Sequence, residues 1–267
     1  MRKITFTKMV ASGNDFIVLE GRPRGNLSFL AKTMCERKFG VGADGLLLLE
    51  QSKKAELGMR IFNADGSEAE MCGNGARCAV LWARHQAGAK KSALRLQTKA
   101  GIIDSRIRQD NVKIRLSDPR DLKLDFTLKL NQRKLHLSFI NTGVPHAVVF
   151  TEGLDDIDVL NLGRQIRNHK YFLPRGTNVD FVEPLNHNSI RIRTYERGVE
   201  DETLACGTGS VAAALIFSLK ANVSHSVKVQ TKSKEVLKVY FSRSGRTFRE
   251  VWLEGEARIV YQGVYYV

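Results

Sequence analysis

Residues 195–220 read YERGVEDETLACGTGSVAAALIFSLK, and residues 61–86 read IFNADGSEAEMCGNGARCAVLWARHQ. In both stretches an acidic turn leads to one cysteine, then to a glycine-rich tripeptide, then to a helical pattern. Residues 207–220 are apolar all round until Lys220, and residues 73–86 on nearly every face except at Arg77 and Arg84. Those two arginines lie seven positions apart and so share a face. A helix without a polar face has to be buried. Short alternating segments on both sides of each helix supply the covering, so each stretch predicts a curved sheet wrapped around a central helix.

The arrangement occurs twice in the chain. Cys72-Gly73-Asn74-Gly75 corresponds to Cys206-Gly207-Thr208-Gly209 at an offset of 134. Upstream, Ser12-Gly13-Asn14-Asp15-Phe16 corresponds to Thr142-Gly143-Val144-Pro145-His146 at an offset of 130. Similar offsets in the same order imply a duplicated domain. The expected fold is therefore α/β (α+β), with two pseudo-symmetric domains, each a curved mixed β-sheet around a central helix. The boundary is expected near Ser117-Asp118-Pro119, where a strand pattern meets a turn signal, giving domains 1–118 and 119–255. Helices are predicted at 28–38, about 73–86, 159–169 and about 207–220. Period-two alternation predicts strands at 3–10, 15–20, 45–50, 58–63, 94–99, 102–108, 112–116, 136–141, 146–150, 178–183, 189–195, 226–231, 235–242 and, with breaks, 248–266.

Composition narrows the function classes. Of 267 residues, 43% are hydrophobic and 26% charged, which is globular and not disordered. The net charge of +14 suits nucleic acid, a membrane surface or an anionic substrate. The basic residues are dispersed, however, over Lys90–Lys91, Arg106–Arg108, Lys228–Lys238 and Arg243–Arg249. No nucleic-acid-binding motif accompanies them, so neither nucleic acid nor membrane is expected as a partner. Four cysteines (Cys35, Cys72, Cys78 and Cys206) are too few for a disulfide framework at this length. The opening MRKITFTKMV alternates like a strand and lacks the apolar run of a signal peptide. The longest strictly apolar run, Val211–Phe217, is too short to span a bilayer. A cytoplasmic location is expected.

Cys72 and Cys206 each stand at a helix N-terminus, where backbone N–H groups are unpaired and the dipole end is positive. That setting favours thiolate, and the same N–H groups can hold a carboxylate. Cys35 and Cys78 fall in apolar patterns and read as inert core. A paired set of thiols has three uses. Metal binding lacks the spacing and the histidines of a zinc site. A redox dithiol lacks Cys-x-x-Cys. Two-base proton transfer at a carbon beside a carboxylate needs an acid and a base on opposite faces, together with positive ends to stabilise the carbanion, and a duplicated motif supplies both.

The stretches ASGNDF, FNADGSEAEMCGNGARC, NTGVPHAVVF, RGTNVDFVE and YERGVEDETLACGTGS, spanning residues 11–210 in order, and the C-terminal GEARIVYQG resemble the diaminopimelate epimerase family. The resemblance implies two similar domains with the site in the cleft between them, and a last strand, about 256–267, that returns to the first domain. It implies interconversion of LL- and meso-diaminopimelate with no cofactor and no metal, on the route to lysine and cell-wall precursors, in a homodimer. By motif, Cys72 and Cys206 would be base and acid, with His146 and Glu196 supporting the cysteines and the reacting amino group. Gly73, Asn74, Gly207 and Thr208 would hold the reacting carboxylate. Asn14, Asn63, Asn178 and Arg197, with Glu196, would grip the substrate's polar groups.

Two positions depart from the pattern. Gly45 stands where some members carry Gln, and Val144 where some carry Asn, which alters the contacts expected at the distal end of the substrate. The rival readings are a racemase of another amino acid, such as proline or histidine, on the same fold, and a basic RNA- or surface-binding protein on this scaffold.

Overall fold

The computed structural model describes residues 2–21, 23–86, 92–130 and 133–267. The basic pair Lys90–Lys91 lies outside the described residues. The chain forms two compact units, Met1–Arg115 with Gly255–Val267, and Leu116–Glu254.

Unit 1 contains β1 (Lys3–Ala11), β2 (Asn14–Glu20), α1 (Leu27–Cys35), β3 (Gly45–Glu50), β4 (Leu57–Asn63), β5 (Glu68–Ala69), α2 (Gly73–Gln86), β6 (Ala93–Thr98), β7 (Gly101–Arg108) and β8 (Asn111–Arg115). Unit 2 contains β9 (Arg120–Leu130), β10 (Arg133–Asn141), β11 (Pro145–Phe150), α3 (Val159–Arg167), β12 (Asn178–Asn186), β13 (Ser189–Glu196), β14 (Asp201–Thr203), α4 (Gly207–Lys220), β15 (Ser226–Gln230), β16 (Val236–Ser244) and β17 (Thr247–Glu256), whose last two residues already belong to unit 1. The last strand, β18 (Arg258–Tyr266), pairs antiparallel with β1 and so belongs to unit 1.

The two units have one topology. In unit 1 the strands run β18-β1-β2-β3-β4-β6-β7-β8, with parallel pairs at β2–β3 and β4–β6 and antiparallel pairs elsewhere. In unit 2 they run β9-β10-β11-β12-β13-β15-β16-β17, with parallel pairs at β11–β12 and β13–β15. Parallel neighbours need a crossover connection. It is α1 and α2 in the first unit, α3 and α4 in the second. The short strands β5 and β14 sit on β4 and β13 in matching places.

The central helices are wrapped as their sequences require. Strands β1, β2, β3, β4, β6, β7, β8 and β18 all touch α2, and β10, β11, β12, β13, β15 and β16 all touch α4. The outer helices α1 and α3 take the opposite face of the sheet. In GLLLLE, Leu46 and Leu48 join the cluster under α1, while Leu47 faces α2 at Gly75. A strand buried on both faces reads as a continuous apolar run for this reason. In β12, Val179 and Phe181 join the cluster under α3, and the intervening Asp180 faces α4 at Gly209.

Helix α1 ends before the predicted residue 38. Its start is capped by Asn26, whose side-chain oxygen accepts from the Phe29 N–H at 3.2 Å. After Cys35 the chain turns back, and the N–H groups of Gly40, Val41 and Gly42 bond to Glu36 O and Met34 O, closing the helix at the glycine. Similarly, α3 stops at Arg167 and gives way to a single 3₁₀ turn at Lys170–Phe172. Strand β9 was not predicted, although Leu122, Leu124, Phe126, Leu128 and Leu130 alternate across it. The expected inter-domain turn at 117–119 is followed directly by this strand. No helix among the described residues is long and apolar enough to cross a membrane.

Candidate active site

Both motif cysteines cap their helices. N-cap positions usually carry Ser, Thr, Asp or Asn, whose oxygen accepts an otherwise unpaired N–H. Here sulfur takes that place. The Gly75 N–H donates to Cys72 Sγ at 3.5 Å, and the Gly209 N–H donates to Cys206 Sγ at 3.4 Å. The two cysteine carbonyls accept the first helical bonds, from Ala76 N at 2.8 Å and Ser210 N at 2.9 Å. A sulfur aimed at N–H donors and a positive dipole end is stabilised as thiolate. Cys72 is half-buried, and Cys206 is 7% exposed. Burial, with the Glu196 and Asp180 carboxylates adding to it, pushes the Cys206 thiol well above its usual range, against the Thr208 hydroxyl and the Gly209 N–H.

In unit 1, Cys72, Gly73 and Asn74 stand at the start of α2, Asn74 reaches Asn14, and Asn63 stands at the end of β4. Asn74 Nδ2 donates to Asn14 Oδ1 at 2.5 Å, and Asn14 Nδ2 donates to Asp44 Oδ2 at 3.0 Å. Behind them lies Arg77, fully buried, which donates to Asn74 Oδ1 at 2.6 Å, Ser12 Oγ at 2.8 Å and Glu256 O at 3.1 Å. Its partner on the helix face, Arg84, is half-buried and donates to Gln109 O at 2.7 Å. Asn63 ends β4 in a turn, where Nδ2 donates to Ser67 Oγ at 2.9 Å. Nearby, burial opposes ionisation of Asp15, but hydrogen bonds from Arg37 and Lys8 outweigh it and hold the carboxyl at about 2.

Unit 2 gathers Cys206, Gly207, Thr208, His146, Glu196, Asn178 and Arg197. The Asn178 amide ties two elements together: Nδ2 donates to Pro145 O at 3.1 Å, and Oδ1 accepts from the Arg197 N–H at 2.8 Å. The Arg197 side chain donates to Arg175 O at 3.0 Å. Burial raises the Glu196 carboxyl above its ordinary range, with the Asp180 charge adding to the shift. His146 is fully buried. Its Nδ1 lies 2.7 Å from Asp180 Oδ2, and its Nε2 lies 3.0 Å from Thr208 Oγ1.

Several residues of these networks escaped the sequence reading. Asp180 carried a signal, since a carboxylate inside the apolar strand NVDFV has to be paired to be buried. Thr194, whose Oγ1 donates to Asp180 Oδ1 at 2.8 Å, and Ser12 carry none as network members, because a lone hydroxyl in a strand or turn is commonplace. The sequence places Arg77 on one helix face with Arg84, and nothing in that spacing marks it as a buried hub. Cys35 and Cys78 are core residues, and burial drives the Cys35 thiol to about 12, which removes it from nucleophilic or basic work at neutral pH.

Backbone crowding explains Gly45. A Cβ there would meet Phe62 O at 2.9 Å, so a larger residue needs β3 and β4 to shift. The two helix starts are crowded as well, that of α4 more than that of α2. A Cβ at Gly75 would meet Leu47 Cδ2 at 3.0 Å, and one at Gly209 would collide with Asp180 Oδ1. Gly209→Ala is accordingly expected to cost about 1–3 kcal/mol, as overpacking of a dense core does. Urea unfolding compared with wild type checks this, and an unchanged midpoint would contradict it.

Solved structures with the same architecture include a PhzF-family phenazine biosynthesis protein from Bacillus anthracis, with a TM-score of 0.78, 17% identity and full coverage of both chains. A hydroxyproline epimerase from Agrobacterium vitis aligns with a TM-score of 0.73 and 16% identity, over 98% of this chain and 92% of its own. These likenesses define the fold. The family model described as Diaminopimelate epimerase matches residues 6–120 and 138–260. The diaminopimelate epimerase of Aquifex aeolicus is 42% identical over 97% of this chain and 96% of its own length, and that of Chlorobaculum tepidum is 42% identical over 96% and 98%. The chain belongs to the diaminopimelate epimerase family, a family of isomerases.

Proposed function

We propose that the protein interconverts LL- and meso-diaminopimelate by two-base proton transfer at the α-carbon, in the supply of lysine and cell-wall precursors. One observation carries the reading: two topologically equivalent buried helices each begin at a cysteine whose sulfur accepts an N–H of the first turn. Inversion requires a proton to leave one face of the carbon and another to arrive at the opposite face. In the forward direction one thiolate takes the α-proton and becomes a thiol. The electron pair left on carbon is delocalised into the carboxylate, and the second thiol gives its proton to the other face and becomes a thiolate. The pair ends with its protonation states exchanged, which is the starting state for the reverse reaction.

The carbanion is the difficult species. N–H groups at Gly73, Asn74, Gly207 and Thr208 would hold its carboxylate at two positive helix ends. Such preorganised donors are worth most where charge develops in a dry site. Asn14, Asn63, Asn178 and Arg197 would grip the remaining polar groups of the substrate, with Glu196 opposite the reacting ammonium. His146 would act through Thr208 on Cys206. The cycle uses only protein groups: thiols exchange the protons, and helix-end N–H groups stabilise the charge on the carboxylate. A homodimer in the cytoplasm completes the reading.

Incubation of the purified protein with LL-diaminopimelate in deuterium oxide, without additives, tests it. The expected product is meso-diaminopimelate carrying one deuterium at the inverted carbon, seen by mass spectrometry. A panel including proline, hydroxyproline and histidine runs alongside. Turnover of one of these, with diaminopimelate left untouched, would overturn the substrate assignment and favour an amino-acid racemase on the same fold.

A further inference from the structure

The two units share one topology, but their buried groups behind the cysteines differ. Strand pairing gives the correspondence. Phe16 pairs with Gly45, and Leu47 with Ile61, in unit 1. His146 pairs with Asn178, and Asp180 with Thr194, in unit 2. Phe16, Leu47 and Ile61 thus correspond to His146, Asp180 and Thr194. The fold itself accepts an apolar set at these places, with Leu47 and Ile61 packed against Gly75 of the Cys72 helix and Phe16 against Gly45. Burying an ionisable pair instead costs several kcal/mol of desolvation before pairing repays any of it. A structural requirement does not account for Asp180, which is wholly buried against Gly209 of the Cys206 helix.

The polar set forms a continuous path. Thr194 Oγ1 donates to Asp180 Oδ1 at 2.8 Å. Asp180 Oδ2 lies 2.7 Å from His146 Nδ1, and His146 Nε2 lies 3.0 Å from Thr208 Oγ1, which is 3.5 Å from Cys206 Sγ. An ionised carboxylate only accepts, so the Nδ1 proton belongs to His146, and in the neutral imidazole Nε2 is then the acceptor. The Thr208 hydroxyl can donate to Nε2 while accepting from the thiol.

We propose that Asp180, fixed by Thr194, is a positioning residue that orients His146 as the proton acceptor for Cys206, with the Thr208 hydroxyl as the relay. The inference rests on the reading of Cys206 as a base. In the step, the Cys206 S–H bond breaks and its proton passes to Thr208 Oγ1, while the hydroxyl's own proton passes to His146 Nε2. The result is a thiolate and an imidazolium whose Nδ1–H remains on the Asp180 carboxylate. At the equivalent places in unit 1, Phe16, Leu47 and Ile61 cannot move protons.

The charged groups facing Cys206 are Asp180 from β12 and Glu196 from β13, with His146 from β11. Asp180 could therefore act on the thiol in two opposite ways. As a bare negative charge it resists thiolate formation, so its removal would lower the pH at which Cys206 reacts. Acting through His146, it promotes thiolate formation, and its removal raises that pH.

The test needs no substrate. Alkylation of Cys206 by iodoacetamide is followed against pH by site-resolved mass spectrometry, with Cys72 as internal reference. In Asp180→Asn, Cys206 alkylation at neutral pH is expected to slow about tenfold, one pH unit of midpoint, with Cys72 unmoved. The double variant Asp180→Leu with Thr194→Ile, which copies the apolar pair of unit 1, is expected to do the same while keeping the melting transition. Thr208→Val is expected to slow Cys206 relative to Thr208→Ser, which keeps the hydroxyl. Coincident profiles in wild type and Asp180→Asn, a shift to lower pH, or equal rates in the two Thr208 variants would each overturn the relay, whatever the deuterium experiment shows about diaminopimelate.

Discussion

Cys72→Ala and Cys206→Ala are each expected to lower epimerisation by about 10²–10⁴-fold or more, the range supplied by one general acid or base. The loss is not shared between the thiols, because inversion needs both faces served and neither cysteine can reach round the carbon. Each single variant retains one base. That base should still exchange the α-hydrogen of the one epimer whose proton points toward it. In deuterium oxide the two variants are therefore expected to label opposite stereoisomers without interconverting them. Chiral separation followed by mass spectrometry gives the result. Wild-type inversion in either variant, or exchange of the same stereoisomer by both, would contradict the two-base assignment.

Arg77→Met carries the largest expected effect on stability. The guanidinium donates to Asn74 Oδ1, Ser12 Oγ and Glu256 O from a fully buried position. Methionine approximates its volume but leaves two buried acceptors, Asn74 Oδ1 and Ser12 Oγ, and the part-buried Glu256 O without those donors, each buried one worth about 1–3 kcal/mol when unsatisfied. Local relaxation recovers part of this, so a net loss of about 3 kcal/mol or more is expected in urea unfolding. The effect also reaches the candidate site, since Arg77 and Asn14 hold the two ends of the Asn74 amide. Arg77→Lys keeps a charge but not the planar fork and should fall between wild type and Arg77→Met. A stability within 1 kcal/mol of wild type for Arg77→Met, on the scale of an ordinary surface substitution, would show that the acceptors find other partners.

The main lines of the fold could be read from two apolar helices and the turns before them, because a helix with no polar face leaves one solution: strands on every side. The duplication was visible for the same reason, since the cysteine turns are short and chemically unusual. The elements that escaped are those whose form is set from outside. The end of α1 is decided by N–H groups of Gly40, Val41 and Gly42 reaching back to carbonyls, and Lys38 gives no local sign of that. The short strands β5 and β14 exist only because β4 and β13 offer an edge. At the site, the cysteines and their glycines announced themselves. The supporting groups did not: Thr194 is an ordinary β-residue until Asp180 is found behind it, and Ser12 is an ordinary turn residue until Arg77 arrives from α2. Sequence spacing shows which groups do chemistry more readily than which groups hold them.

The strand β18 couples the first segment of the chain to its last. It lies along β1 from Lys3↔Tyr266 to Val10↔Arg258, and Glu256 supplies a carbonyl to Arg77. During synthesis, unit 2 is a continuous stretch, 116–254, and can close as soon as it clears the ribosome. Unit 1 is translated earlier but must wait, with one sheet edge open and a buried arginine short of an acceptor, until residues 255–267 emerge. Domains made first usually fold first; unit 1 is made first but is completed only by the last strand. The open β1 edge is a template for pairing with another chain until β18 covers it.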